Sequence, residues 1–372
     1  MNKKLIAIAV AGVMTVPLVA QAGGHITMGG DARVRYQSLA LDLPGTAGDN
    51  GARTTTRARL TLKAHDGDVA GISYRGAIAD VTHGDVTTDK AQLTTDWAYG
   101  YLDTGFAKIS GGVMVANWGT GLRTNDARPN RLIVTKAIDG LTLGLGFDKS
   151  LESGMGKDDT DNDSGQTVIL AKTKEFGLLY LDKYKGKNVT GGAEWNATWT
   201  DIFYSGEVAG VGVNVEYGTN GGDADGDIVG LLVTKGMGKL SLAGMYVMTK
   251  DGGSIDPDYL AVVSAEDQYG ASELAAMGGA GGSALASTKG EDKSVLGVVV
   301  GYEMSDAMSA QLGLVNFGSS QKDLGAGTAT DSVNLVDVIV THKFGKKSKL
   351  MGYAFSASDV ATGYGLNVET KF

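Results

Sequence analysis

"RTTTRARLTLKA", residues 53–64, is the stretch whose reading decides the fold. Taken with a period of two, it sets Arg57, Arg59 and Lys63 on one face and Ala58, Leu60, Leu62 and Ala64 on the other. That alternation makes a strand. Its two faces ask for opposite surroundings, an apolar one on the aliphatic side and water on the side of the fixed charge.

The same period recurs along almost the whole chain. In "VGVNVEY" (211–217) Val211, Val213, Val215 and Tyr217 share a face against Gly212, Asn214 and Glu216. In "VLGVVVGYEM" (295–304) Leu296, Val298, Val300 and Tyr302 do so, and in "MSAQLGLVNF" (308–317) Ala310, Leu312 and Leu314. These segments pair through short connections: Asp66-Gly67-Asp68, Thr104-Gly105, Asp139-Gly140, Lys174-Glu175, Ala209-Gly210, Gly236-Met237-Gly238, Ser305-Asp306-Ala307 and Gly345-Lys346-Lys347. Between the pairs lie longer polar stretches such as "DLPGTAGDNGA", "ESGMGKDDTDNDSG" and "GTNGGDADGD". Tight turns at one end and long loops at the other are the asymmetry of a transmembrane β-barrel, with turns on the periplasmic side and loops outside. The pattern predicts an all-β, antiparallel barrel of 16 to 18 strands, with 18 preferred. A soluble sandwich also alternates, but about 350 residues of continuous hairpins, with no proline-marked boundary, suit a large barrel better. Glycine, at 57 residues against 4 prolines, recurs inside apolar runs such as Gly140–Phe147, as curved strands require.

The N-terminus has the form of a secretory signal. Lys3 and Lys4 precede an apolar run from Leu5 to Met14, and Ala20-Gln21-Ala22 offers a small-residue cleavage site. Residues 1–22 are therefore expected to be removed and residues 23–372 to form one barrel domain. With no cysteine anywhere, neither disulfides nor thiolate metal sites are available. Loss of Lys3 and Lys4 takes the formal charge from −9 to −11, an acidic balance that argues against nucleic acid as a partner.

All nine arginines fall between Arg33 and Arg131. In "ITMGGDARVRY" Asp31, Arg33 and Arg35 share the polar face while Met28, Ala32, Val34 and Tyr36 share the other. In "GISYRGAI" Arg75 lies with Gly71 and Ser73, opposite Ile72, Tyr74 and Ile78. A charge turned to the bilayer midplane costs about 2–4 kcal/mol, so these arginines are expected to face the lumen. Arg33, Arg35, Arg57, Arg59, Lys63 and Arg75, with Arg53, would form a cationic ladder on one inner wall and set the selectivity of a water-filled pore.

The pieces "GDARVRYQS", "RARLTLKAHDGDVAGISYRGAI", "WAYGYLDTGFAKISGGVMVANWGTGL", "KAIDGLTLGLGFDKS" and "GYGLNVETKF", in this order, resemble a Gram-negative outer-membrane porin. The similarity is nearest to the eighteen-stranded major outer membrane protein branch. The resemblance implies passive diffusion of small hydrophilic solutes and ions, a homotrimer in outer-membrane lipid and lipopolysaccharide, and no cofactor. It implies a constriction loop over about Asn117–Asn130 that folds inward. Here that loop lacks a cluster of acids and offers Arg123, Arg128 and Arg131 beside Asp126. Phe372, ending an alternating strand with Tyr364, Leu366, Val368 and Thr370, resembles the terminal aromatic that such barrels present to their insertion machinery.

The acidic loops place Asp159, Asp161, Asp163 and Asp223, Asp225, Asp227 at alternate positions, weak candidates for calcium or magnesium bridging lipopolysaccharide. Four histidines, His25, His65, His83 and His342, are scattered, and no nucleophile motif accompanies them. The chain is accordingly not expected to be an enzyme. A substrate-specific channel is the principal alternative, and an outer-membrane hydrolase or an adhesive barrel stands behind it.

Overall fold

The computed structural model describes residues 25–41, 51–83, 93–122, 124–127, 129–149, 164–185, 195–222, 225–255, 287, 290–320, 332–358 and 361–372. The expected signal segment, residues 1–22, lies outside them.

The wall opens with β1 (His25–Leu41), β2 (Gly51–Asp66), β3 (Ala70–His83), β4 (Leu93–Asp103) and β5 (Lys108–Val113). Two short strands, β6 (Ala116–Trp118) and β7 (Thr124–Ala127), then pair only with each other. The wall resumes with β8 (Asn130–Ile138), β9 (Leu141–Lys149), β10 (Ser164–Lys172), β11 (Phe176–Lys185), β12 (Trp195–Val208) and β13 (Val211–Gly222). It continues through β14 (Gly226–Met237), β15 (Leu240–Lys250), β16 (Asp292–Ser305) and β17 (Met308–Ser319). The last wall strands are β18 (Ser332–Phe344), β19 (Ser348–Ala357) and β20 (Ala361–Lys371). Every pairing is antiparallel, and β20 pairs back onto β1, from Asp31 opposite Lys371 to Leu41 opposite Ala361. The result is a closed barrel of 18 strands.

The short connections fall where the turn chemistry of the sequence puts them. Asp139-Gly140 (φ 46° and 85°) and Ala209-Gly210 (φ 52° and 73°) are two-residue turns with both central residues at positive φ, the geometry that matches strand twist. One expected turn shifts: Met237 remains in β14 opposite Leu240, so the reversal is at Gly238-Lys239.

The outer face is apolar all round, with Val34, Ile72, Leu145, Ile202, Leu296 and Leu366 exposed among many others. The inner face divides in two. On β1 to β4 it is charged and aromatic, as the sequence pattern requires. On β14 to β19 it is mainly aliphatic and aromatic, with Thr249, Lys293 and Asp337 buried among these side chains, which corrects the expectation of a wholly polar lumen. Ile228, Met245, Val295, Phe317, Leu335 and Tyr353 are all buried in one cluster there. Alternation alone could not reveal this, because strands such as "VLGVVVGYEM" are apolar at both parities.

Candidate functional site

Arg33 and Arg35 on β1 are buried, at 6 % and 7 % exposure, while Val34 and Tyr36 between and beyond them face outward. Register then assembles the ladder. Arg33 stands opposite Arg57, and Asp31 opposite Arg59, across β1 and β2. The Arg59 Nε donates to both oxygens of Asp31, at 3.1 and 2.9 Å. Arg57 places its Nη2 3.7 Å from the same carboxylate. On the far side of β1, Arg33 faces Glu369 of β20, and Glu369 pairs with Lys349 at 3.2 Å.

The ladder extends onto β3 and β4. Arg75 is ion-paired with Asp96, and its Cζ lies 3.4 Å from the centroid of the Trp97 ring. Trp97 in turn donates its Nε1–H to Ser73 Oγ at 3.2 Å. A bulge at Arg75/Gly76 admits both Asp96 and Trp97 beside this guanidinium. Lys63 is exposed at the foot of the ladder and lines a cavity of about 290 Å³ with Asp31, Thr61 and Lys371. Arg33, Arg35, Arg57, Arg59, Lys63 and Arg75 thus lie on one inner wall. The side chain of Arg53 lies outside the described residues.

The chain leaves the wall at Val113 and returns at Asn130, and the segment between them enters the barrel. Its stem closes where Met114 N–H donates to Pro129 O at 3.2 Å. Ala116 is buried against Val168, Leu179 and Leu181 on the inner face of β10 and β11. At the tip, Thr120 donates its backbone N–H and its hydroxyl to Glu216 Oε2 of β13, at 2.6 and 2.7 Å. Glu216 is 0 % exposed, so both donors meet a carboxylate shielded from water. Gly119, at φ 62°, brings its backbone so close to this carboxylate that any side chain there would collide with it. Leu122, also 0 % exposed, fills the space over Gly230 of β14, where a Cβ would come within 2.7 Å of Leu122 Cδ2. The loop therefore crosses from β5 to β13 and β14 and divides the interior. Ala116 covers part of the inner face of β10 and β11 on the way.

Of the residues expected in this loop, Arg123 and Arg128 lie outside the described residues, as does the side chain of Asp126 in β7. Arg131 belongs to the barrel wall rather than to the loop. It is buried on β8, with Nε and Nη2 held by Asp148 of β9 at 2.5 and 2.6 Å, and Gln166 Nε2 completes the group at 2.5 Å. Phe372 extends the β20 ladder, exchanging backbone hydrogen bonds of 3.1 and 3.0 Å with Gly30. Of the loop carboxylates, Asp159, Asp161, Asp163 and Asp223 lie outside the described residues. Asp225 is exposed, and Asp227 accepts a hydrogen bond from Tyr217 at 3.3 Å. Among the described residues, no group of three or more His, Asp or Glu side chains is arranged to hold a metal ion.

Reading the sequence missed the loop anchor and the apolar wall. Glu216 was visible only as one acid on a polar face, and its partner lies 96 residues away.

No protein-family model and no curated protein sequence matches the chain. Solved structures do resemble it. OpdL of Pseudomonas aeruginosa superposes with a TM-score of 0.62 at 14% identity, over 93% of this chain and 98% of that one. OccK2 (OpdF) of the same organism, in complex with glucuronate, gives 0.61 at 12%, over 95% and 99%. OccAB4 of Acinetobacter baumannii gives 0.56 at 12%, over 93% and 98%. At these identities the likeness establishes the fold, a closed eighteen-stranded barrel of the outer-membrane porin type. The sequence pieces resembled the major outer membrane protein branch, whereas these structures are of Occ and Opd proteins.

Proposed function

We propose that the chain is an outer-membrane channel through which small hydrophilic solutes and ions diffuse passively. One observation carries the reading: on the same strands, Val34, Tyr36 and Ile72 face out while Arg33, Arg35, Arg57, Arg59 and Arg75 face in. Lipid satisfies the first face and water the second. A row of guanidinium groups along a narrow aqueous path produces a transverse field that orients polar solutes and favours anions.

A substrate-specific channel fits better than a wide general pore. The loop held on Glu216 and Gly230 narrows the interior, and the arginine wall lines part of what is left. Such a path favours a small solute that carries negative charge. The glucuronate bound in OccK2 shows that a barrel of this fold can hold an anionic sugar.

In this reading residues 1–22 direct export and are cleaved, Phe372 is recognised by the insertion machinery, and the chain assembles as a homotrimer surrounded by lipopolysaccharide. Divalent cations at the acidic outer loops would bridge its phosphates. Transport needs no cofactor, no energy input and no catalytic residue.

The test is reversal potential in a planar bilayer under a salt gradient, for the wild type and for Arg57→Ala/Arg59→Ala. Stepwise ohmic conductance with anion permeability reduced in the variant is expected. Absence of conductance from folded protein would overturn the channel. Conductance with unchanged selectivity would remove the ladder from the filter.

A further inference from the structure

We infer that the cavity at the foot of the arginine ladder is a docking subsite for small anions that carry an O–H donor of their own, the chemistry shared by hydroxy acids and protonated phosphate. The inference rests on the channel reading above and names what the turn-side mouth of the path selects.

The cavity, of about 290 Å³, lies where β1, β2 and β20 meet at the end of the barrel that carries the short turns. Parity builds it. Thr27, Gly29 and Asp31 of β1, Thr61 and Lys63 of β2 and Lys371 of β20 line it, all on the face that carries Arg33 and Arg57. Register sets Thr27 opposite Lys63, Gly29 opposite Thr61, and Asp31 opposite both Arg59 and Lys371. Gly29 keeps the middle open: a Cβ there would meet only the Phe372 backbone oxygen, at 3.4 Å. The room thus comes from a missing side chain, and a larger residue would fill it.

The surrounding charge draws an anion. Lys63 and Lys371, both exposed, are compact ammonium groups with three rotatable donors each. Lys371 stands 3.9 Å from Glu369, whose nearer partner is Lys349 at 3.2 Å. Arg57, Arg59, Lys63, Lys349 and Lys371 outweigh Asp31 and Glu369 around this mouth, so its field is positive.

Asp31 decides which anion stays. Arg59 shares one N–H between its two oxygens, at 3.1 and 2.9 Å, and Arg57 Nη2 at 3.7 Å is beyond hydrogen-bond length. A carboxylate has about four acceptor positions, so capacity is left for a donor that enters from the cavity. An anion with acceptors alone meets a like charge there. One with an O–H gives its charge to the lysines and its proton to a hydrogen bond with Asp31, while the Thr27 and Thr61 hydroxyls can donate or accept.

The experiment is calorimetric titration of folded protein, purified from outer membranes, with two matched pairs of anions slightly below neutral pH. Lactate differs from propionate by one hydroxyl, and phosphate keeps an acid proton where sulfate has none. Lactate is expected to bind about tenfold more tightly than propionate, the worth of one hydrogen bond to a charged acceptor, and phosphate more tightly than sulfate. Gly29→Leu should abolish both preferences by filling the cavity. Lys63→Gln, at an exposed position, should weaken all four anions. Asp31→Asn should tighten propionate and narrow its gap from lactate.

A preference within one pair alone assigns the subsite to that source of the O–H. Equal binding within both pairs overturns the subsite, as does a preference that survives Gly29→Leu in folded protein or a gap that Asp31→Asn leaves unchanged. Bilayer conductance of the same samples separates this result from the channel reading. Conductance without selective binding removes only the subsite, and selective binding without conductance removes only the channel.

Discussion

Arg33 and Arg57 are direct partners across the β1–β2 ladder, with both guanidinium groups on the inner face. Like charges in that relation are destabilising, and Asp31, one rung below Arg33 on its face, is the carboxylate that Arg57 and Arg59 share. Asp31→Asn should therefore lower barrel stability by about 1–3 kcal/mol, since the guanidinium groups lose a charged acceptor in a part-buried place. It should also raise anion permeability. Denaturant unfolding and reversal potential measure the two effects, and an unchanged midpoint would mean that water alone screens the arginines.

Removing the loop anchor should free the loop without unfolding the barrel. Glu216→Ala leaves both Thr120 donors without their acceptor, a loss of about 1–3 kcal/mol for a buried charged hydrogen bond. Single-channel traces should show larger or flickering conductance, and protease should cut between Ala116 and Ala127. Thr120→Val, which keeps the backbone donor, should give a weaker form of the same effect. Steady traces from Glu216→Ala would show that Leu122 over Gly230 holds the loop unaided.

At the seam, a side chain on Gly30 would come within 2.5 Å of the Phe372 Cζ and crowd the Arg59 carbonyl. Gly30→Val should displace Phe372 from β1 and reduce the amount of folded, heat-modifiable barrel recovered from membranes. Phe372→Ala in a glycine-30 background should cause a comparable loss. Normal yield from Gly30→Val would separate assembly from the seating of this ring.

Because the chain has no cysteine, single-cysteine variants report accessibility cleanly. Lys63→Cys should react rapidly with a charged, water-soluble thiol reagent. Leu335→Cys, at a position 1 % exposed on the inner face of β18, should stay protected until the barrel unfolds. Rapid labelling at both positions would mean that the aqueous path reaches the apolar wall throughout its depth.

Local chemistry made the wall legible in the sequence. Positive-φ pairs such as Asp139-Gly140 fix where the chain reverses and the register of the hairpin they join, in which Ile138 stands opposite Leu141. The facing of Arg33, Arg35, Arg57, Arg59 and Arg75 followed from parity. The loop did not, because Thr120 and Glu216 are joined only by tertiary packing, and a single acid on a polar strand face gives no sign of a partner. Arg131 was misplaced for a related reason. Its neighbour Asn130 begins β8, and an arginine at a loop boundary reads alike whether it points across the pore or pairs with Asp148 on the wall.

The closure of β20 onto β1 has a consequence for how the barrel comes into being. Each hairpin can form from neighbouring sequence, but Asp31 meets Lys371 only after every intervening strand has been placed. Until then the edge of β1 that will meet β20 presents a row of unsatisfied amides and carbonyls, a template for pairing with foreign strands. Loop-closure entropy makes so distant a contact slow to find. The first strand must therefore be shielded by another agent while the others are laid down, and a barrel released before that seam is zipped would be an open sheet prone to aggregation.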